Sequence, residues 1–216
     1  MRQDKRIKLI SFDVDGTLVT SSFADLIWLE VMPQLASERL GIPLEDAKSI
    51  LLADYKSIGP NRLEWYDIYY WIKKYHLDVN PKNLLREYKE AVTFFPEVLD
   101  VLDDLKDNFD LIVISNSSRL FLEITTDALK GYFRHAFSTV SDFNMMKSVD
   151  SYKLACEKIG ALPQEVAHVG DSHELDYVRA RRAGMRSYLV ERSGYRKGRF
   201  IVKDLKEFRA KILGKA

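Results

Sequence analysis

Cysteine is almost absent from this 216-residue chain, in which Cys156 stands alone. One thiol excludes an internal disulfide and a thiolate metal cluster and suggests a reducing compartment, so a cytoplasmic location is expected. An excess of either charge is lacking as well. Lys plus Arg number 33 and Asp plus Glu 32, a balance that argues against nucleic acid or an anionic membrane surface as the bulk partner. Long apolar runs are missing too. No stretch approaches the roughly 20 residues of a membrane-spanning helix, and acids interrupt the N-terminal apolar run before it reaches signal-peptide length. Neither an internal repeat nor a low-complexity segment is present. What remains is a chain that is 46% hydrophobic, long enough to bury a core as one domain or as one domain with a sizeable insertion.

Short apolar runs bounded by turn residues recur at 7–14, 110–116, 135–140, 165–171 and 186–191, and each predicts a buried strand. Helical patterns separate the later runs, and two of them end at Gly160 and Gly184, as left-handed helix caps require. Strands alternating with helices predict an α/β fold with a doubly wound parallel sheet. Residues 21–93 depart from the alternation. They read as consecutive helices, with Pro33 as a kink or break, and so form a helical insertion between a first core piece, 1–20, and a second, 94–216.

The first strand ends in "DVDGT", residues 13–17. In extended chain, residues i and i+2 face the same way, so Asp13 and Asp15 are expected on one side of the strand end. Two unit charges about 6.5 Å apart repel by roughly 2–3 kcal/mol at an effective dielectric near 20, which calls for a cation or for a proton on one of them. The carboxyl ends of parallel strands are where open α/β sheets bind ligands. There the run 110–116 supplies Ser115 and Asn116, and the run 165–171 leads into "GDSHELD", with Asp171 and Asp176. Three or four converging carboxylates without histidine or thiolate partners point to hard-oxygen coordination of Mg²⁺.

In their order and spacing these residues resemble the haloacid dehalogenase-like hydrolases. "DVDGT" resembles the family's first motif, "VISN" at 113–116 its second, Lys147 its third and "VGDSHELD" at 169–176 its fourth, while 21–93 falls where the family inserts a cap. The resemblance implies a Rossmann-like core with a helical cap and a Mg²⁺-dependent phosphatase acting on a small phosphorylated metabolite. Asp13 would be the nucleophile that becomes an aspartyl phosphate, and Asp15 the general acid and base. Thr17 would orient the nucleophile loop, while Ser115, Asn116 and Lys147 would receive phosphate oxygens. Mg²⁺ would be held by Asp13, the backbone carbonyl of Asp15 and Asp171, with Asp176 behind them. One departure concerns Lys147, which lacks the usual following proline and stands in a shortened segment, so Lys153 is an alternative.

Asp15 favours phosphate-ester hydrolysis over dehalogenation, because a departing halide needs no proton. A phosphomutase would reuse the same residues, and so would a phosphonate hydrolase, which also needs a cap lysine; Lys48, Lys56, Lys73 and Lys74 are the candidates. A non-enzymatic phosphoacceptor module of the receiver type would carry its acceptor on a later strand of a shorter chain without a cap. A small-molecule partner and a monomer or homodimer are expected.

Other features have plainer readings. In "EWYDIYYWIKKYH", Trp65, Ile68, Tyr69 and Ile72 fall at helical spacing, which predicts core packing within the insertion rather than a substrate-binding wall. His76, His135 and His168 show no metal spacing and read as structural or surface residues; His173 reads as structural despite its place beside Asp171. The basic stretch "RARRAGMRSYLVERSGYRKGRF" reads as a solvated face plus a strand, and Cys156 as inert core.

Overall fold

The protein is described here over residues 7–214 by a computed structural model. Six strands form one sheet: β1 (Leu9–Phe12), β2 (Asp110–Ser115), β3 (Phe133–Ser138), β4 (Val166–Gly170), β5 (Arg186–Val190) and β6 (Ile201–Val202). All pairings are parallel, in the order β3-β2-β1-β4-β5-β6. The chain thus winds outward in both directions from β1. The crevice this leaves at the carboxyl end of the central strands is where such sheets hold ligands.

Successive strand residues serve opposite faces, and both faces are covered by helices, as expected of a parallel sheet. Ile10, Phe12, Leu111, Val113, Ala167 and Val169 join one apolar cluster, with Val101 and Leu105 of the helix Val98–Lys106 and Phe208 of the helix Leu205–Leu213. Leu9, Ile112, Ile114 and Val166 join another, with Tyr152, Ala155 and Cys156 of the helix Val149–Ile159. Ser11 and His168 alternate onto this second face, directly opposite one another in register. That polar pair sits beneath the site. Burial pushes the Cys156 thiol up to about 11, so it stays neutral and packs as a small apolar group.

Strand positions follow the sequence runs closely, with three differences. β1 stops at Phe12 rather than continuing to 14: the Asp13 N–H still donates to Val169 O at 2.9 Å, but the chain then turns, so a loop presents the two aspartates. β3 ends at Ser138, whose hydroxyl accepts from Ser141 N at 3.1 Å and opens the helical turn Thr139–Asp142. The two-residue β6 is too short to show a periodicity in sequence.

Residues 22–91 are helical and build an apolar cluster of their own around Phe23, Ile27, Leu51, Ile68 and Trp71, which also takes in Phe121. Pro33 does not break the chain there. The run Ser22–Asp25 continues without a break through a π-helical stretch, Leu26–Val31, into Met32–Leu40, and the proline sits just after the widened turn, where the regular i→i−4 ladder is already interrupted. The aromatic segment keeps a different phase from the expected one. A 3₁₀ turn, Leu63–Tyr66, ends at Asp67, and the helix Ile68–Lys74 starts afresh with Asp67 as its cap. Its buried face is therefore Ile68 and Trp71, continued by Tyr75, whereas Tyr69, expected in the core, is 56% exposed. Among the described residues no helix is long and apolar enough to cross a membrane.

Candidate active site

β1, flanked by β2 and β4, delivers its loop between theirs. The result is a pocket of about 150 Å³ lined by Asp13, Asp15, Ser115, Asn116, Lys147, Asp171 and Asp176, joined by Tyr66, Ser117, Ser172 and Leu175. Of the residues singled out in the sequence, all but Thr17 line it. Thr17 is buried and its Oγ1 has no hydrogen-bond partner; it holds the turn through its backbone, with N–H to Val14 O at 3.2 Å and its carbonyl accepting from Arg192 Nη2 at 3.1 Å.

Lys147 is the electrostatic centre. Its ammonium lies 2.5 Å from Asp13 Oδ1 and 2.6 Å from Asp176 Oδ1, almost fully buried. Burial alone would lower its pKa, but the two carboxylates outweigh that and raise it, so it is a fixed cation. The backbone is held as firmly: Lys147 N donates to Asn116 Oδ1 at 2.7 Å, and Lys147 O accepts from Arg179 Nη1 at 2.7 Å. Lys153 points elsewhere, exposed on the helix Val149–Ile159.

The two aspartates of the first motif face different partners. Asp13 sits within the acid cluster, and burial pushes its carboxyl well above the ordinary range, helped by Asp176 and Asp171 and opposed by Lys147. Asp15 turns away from that cluster. Its Oδ2 accepts from Ser117 Oγ at 2.6 Å, and its pKa is raised by burial despite that bond and despite Lys147. Ser117 carried no signal in the sequence, since its contact crosses 102 positions of chain.

Asp176 is saturated with donors. Oδ1 accepts from Lys147, lies 3.2 Å from the Tyr152 hydroxyl, whose one hydrogen it shares with Leu175 O at 3.1 Å, and faces His168 Nε2 at 3.2 Å, while Oδ2 accepts from Ser172 N at 2.9 Å. Burial would raise its pKa, but Lys147 and His168 hold it well below the usual carboxylate range. Burial also lowers the His168 pKa, and its Nδ1 meets Ser11 Oγ at 2.9 Å. A buried polar chain thus runs from Ser11 through His168 and Asp176 to Lys147 and Asp13. His168 is structural, as read from the sequence, with the particular task of bracing Asp176; His173 is exposed, its ring 5.7 Å from that of Tyr177.

Two glycines leave room for these acids. A Cβ on Gly16, whose φ is +76°, would lie 2.2 Å from Asp171 Oδ2, and one on Gly170 would lie 2.3 Å from Asp176 Cγ. Neither position has space for another residue.

Oxygens from Asp13, Asp171 and Asp176 lie within 4.8 Å of one another, a donor set that suits a hard divalent cation. Desolvation, with the charge of Asp176 added, pushes Asp171 up to about 6, the mark of a carboxylate that Lys147 does not fully compensate. Asn116 is the other unfinished group. Its Oδ1 accepts from Thr139 Oγ1 at 2.7 Å and from Lys147 N, which leaves Nδ2 buried and without a partner beside the pocket. A buried amide N–H in that state costs about 1–3 kcal/mol unless an acceptor arrives.

Comparison with known proteins agrees with this geometry. The chain matches the haloacid dehalogenase-like hydrolase family over residues 7–184. It is 26% identical to a glyceraldehyde 3-phosphate phosphatase of Pyrococcus furiosus over 85% of this chain and 80% of that protein. It is 29% identical to a phosphoglycolate phosphatase of Chromobacterium violaceum over 86% of each. A crystal structure of a phosphatase from Thermococcus onnurineus superposes with a TM-score of 0.85 at 25% identity, covering 96% of this chain and 98% of that one. A matched family over most of the chain, a six-stranded parallel sheet and an acid cluster at its carboxyl edge lead to one conclusion: the chain belongs to the haloacid dehalogenase-like hydrolases and is an enzyme of their phosphatase type.

Proposed function

We propose that this enzyme hydrolyses a small phosphorylated metabolite with Mg²⁺ through an aspartyl phosphate on Asp13. The observation that carries the reading is the unequal pair: Asp13 lies in the acid cluster against Lys147, while Asp15 stands apart on Ser117 with a raised pKa. Asp13 Oδ attacks phosphorus as the ester P–O bond breaks, and Asp15, holding its proton to higher pH than a free carboxyl, gives it to the leaving oxygen. Water then attacks the phosphoaspartate, and Asp15 takes the proton back. Lys147 and the free Nδ2 of Asn116 meet phosphate oxygens, and Ser115 closes the same wall.

Asp13 and Asp171, with the backbone carbonyl of Asp15, would hold Mg²⁺, and Asp176, already engaged by the Lys147 ammonium and Ser172 N, would brace them. The cation supplies charge neutralisation, which favours the ionised nucleophile and offsets charge on the transferring group. The segment 22–91 acts as the cap. The relatives named for glyceraldehyde 3-phosphate and phosphoglycolate support a short ester as substrate. A phosphonate hydrolase is disfavoured, because Lys48, Lys56, Lys73 and Lys74 all lie outside the pocket lining. A cytoplasmic setting fits the single buried thiol.

The test is release of inorganic phosphate from short phosphate esters, with and without Mg²⁺, by the wild type and by Asp13→Asn. Dependence on both the metal and Asp13 is expected. Equal rates for the two proteins would sink the nucleophile assignment.

A further inference from the structure

Among the described residues, Tyr66 is the only side chain of the segment 22–91 that lines the pocket. It ends the turn Leu63–Tyr66, and that turn is braced on each side. Trp65 packs edge-on against Tyr55 with ring centroids 6.4 Å apart, Arg62 pairs with Glu64 at 2.6 Å, and Asp67 caps the next helix by accepting from Tyr69 N at 2.9 Å. Consecutive aromatics therefore do different work: Trp65 anchors the turn in the insertion, and Tyr66 is carried over the site.

The Tyr66 hydroxyl donates to Pro60 O at 3.2 Å, which uses its one hydrogen and leaves its lone pairs free to accept. Burial raises its pKa, while the nearby Asn116 amide opposes the rise, so the group is a neutral hydroxyl beside that amide. Yet Asn116 Nδ2 has no hydrogen-bond partner. A ligand that reaches this edge of the pocket would meet the Tyr66 hydroxyl on the insertion side and a buried amide donor close beside it on the sheet side.

The space is small. The pocket's volume is about 150 Å³, part of which the phosphate itself takes. Pockets that enclose larger organic ligands run to about 300–1,000 Å³.

We propose that Tyr66 sets the size and polarity of the ester this enzyme accepts: it borders the leaving group where Asn116 and Lys147 hold the phosphate, admitting a short oxygen-bearing chain of about two or three carbons and excluding sugars and nucleosides. The inference rests on the phosphatase reading and adds to it the class of leaving group and the residue that selects it. Substrates of the favoured class that carry a hydroxyl or hydrated carbonyl can donate it to the Tyr66 oxygen. Larger esters collide with the ring.

Four esters, 2-phosphoglycolate, glyceraldehyde 3-phosphate, ribose 5-phosphate and adenosine 5′-monophosphate, are to be compared by kcat/KM with Mg²⁺ for the wild type, Tyr66→Phe and Tyr66→Ala. Inhibition by inorganic phosphate, measured in parallel, reports the phosphate site alone. The wild type is expected to prefer the short esters by about tenfold or more, and Tyr66→Ala to erase most of that ratio while the phosphate inhibition constant stays within about twofold. Tyr66→Phe should keep the exclusion of the large esters and lose about three- to tenfold on glyceraldehyde 3-phosphate, the short ester with a hydroxyl to offer, while 2-phosphoglycolate changes little. An equal fall on all four esters in Tyr66→Ala, or an unchanged ratio, would overturn the proposal while leaving the phosphatase reading intact. A wild type inactive on every ester would overturn both.

Discussion

At the carboxyl ends of β1, β2 and β4 the buried side chains are ions, hydroxyls and amides; in the segment 22–91 they are aromatic rings and aliphatic chains. The first region buries Asp13, Lys147 and Asp176 within 2.6 Å contacts and satisfies them from His168, Tyr152 and Ser172. The second packs Trp71 between Tyr55 at 4.5 Å and Tyr70 at 5.1 Å, and still leaves Leu29, Leu40, Ile50 and Leu52 exposed, because so small a body cannot bury every apolar group. Charge can be concentrated where a sheet covered on both faces excludes water and fixes the partners. A small helical body offers no such shelter, and what it gives the site is one shaped side chain, Tyr66.

Five substitutions would break this contrast, and they follow in order of expected effect. Asp13→Asn removes the proposed nucleophile and should lower turnover by about 10⁴-fold or more, measured as phosphate release at saturating ester; a loss under about tenfold would mean the acid cluster is not the seat of the chemistry. Lys147→Met leaves Asp13 and Asp176 buried without their cation. Urea unfolding in metal-free buffer should show a loss of about 3–5 kcal/mol, and a negligible loss would mean that protons or water compensate these carboxylates unaided.

Asp15→Asn should lower kcat/KM, which reports formation of the phosphoaspartate and not its hydrolysis, by about 10²- to 10⁴-fold on an alkyl phosphate and much less on an aryl phosphate, whose leaving oxygen departs without a proton. Equal losses on the two would remove the acid role from Asp15. In the insertion, where no charge is concentrated, effects should be smaller. Trp71 Nε1 is buried without a partner, so Trp71→Phe forfeits no hydrogen bond and should cost within about 1.5 kcal/mol by thermal unfolding.

The smallest effect concerns Asp54, on the surface of the insertion. Burial would raise its pKa, but hydrogen bonds from Lys74 and Tyr75 hold it below the usual value. A depressed folded pKa means that its contribution is full above the unfolded value of about 4 and is lost as pH falls through the folded one. Asp54→Asn should therefore cost under about 1 kcal/mol at pH 7, with the difference from wild type vanishing in strong acid. A cost of several kcal/mol at neutral pH would erase the contrast between the two regions.

Much of the site was legible because its residues sit at strand ends. Asp13, Ser115, Asn116 and Asp171 each follow or close an apolar run, and in a parallel sheet adjacent strand ends converge without further information. Lys147 was harder, since it lies on a connecting loop between β3 and the helix Val149–Ile159, and what separates it from Lys153 is tertiary: its ion pairs with Asp13 and Asp176 and its backbone bonds with Asn116 and Arg179. Ser117 and His168 act through contacts across 102 and 157 positions, to Asp15 and Ser11, which no local pattern announces.

Tyr66 marks the boundary most clearly. The sequence by itself determined the parallel sheet, the helical insertion and the acids at the strand ends, because periodicity and strand-end placement are local properties of a chain. The tertiary structure alone decided which aspartate meets Lys147, which meets Ser117, and that Tyr66 rather than Trp65 or Tyr69 reaches the pocket. The reason is physical: a 3₁₀ turn ending at Asp67 resets the helical phase, and a shift of one residue turns a ring from a core into a site.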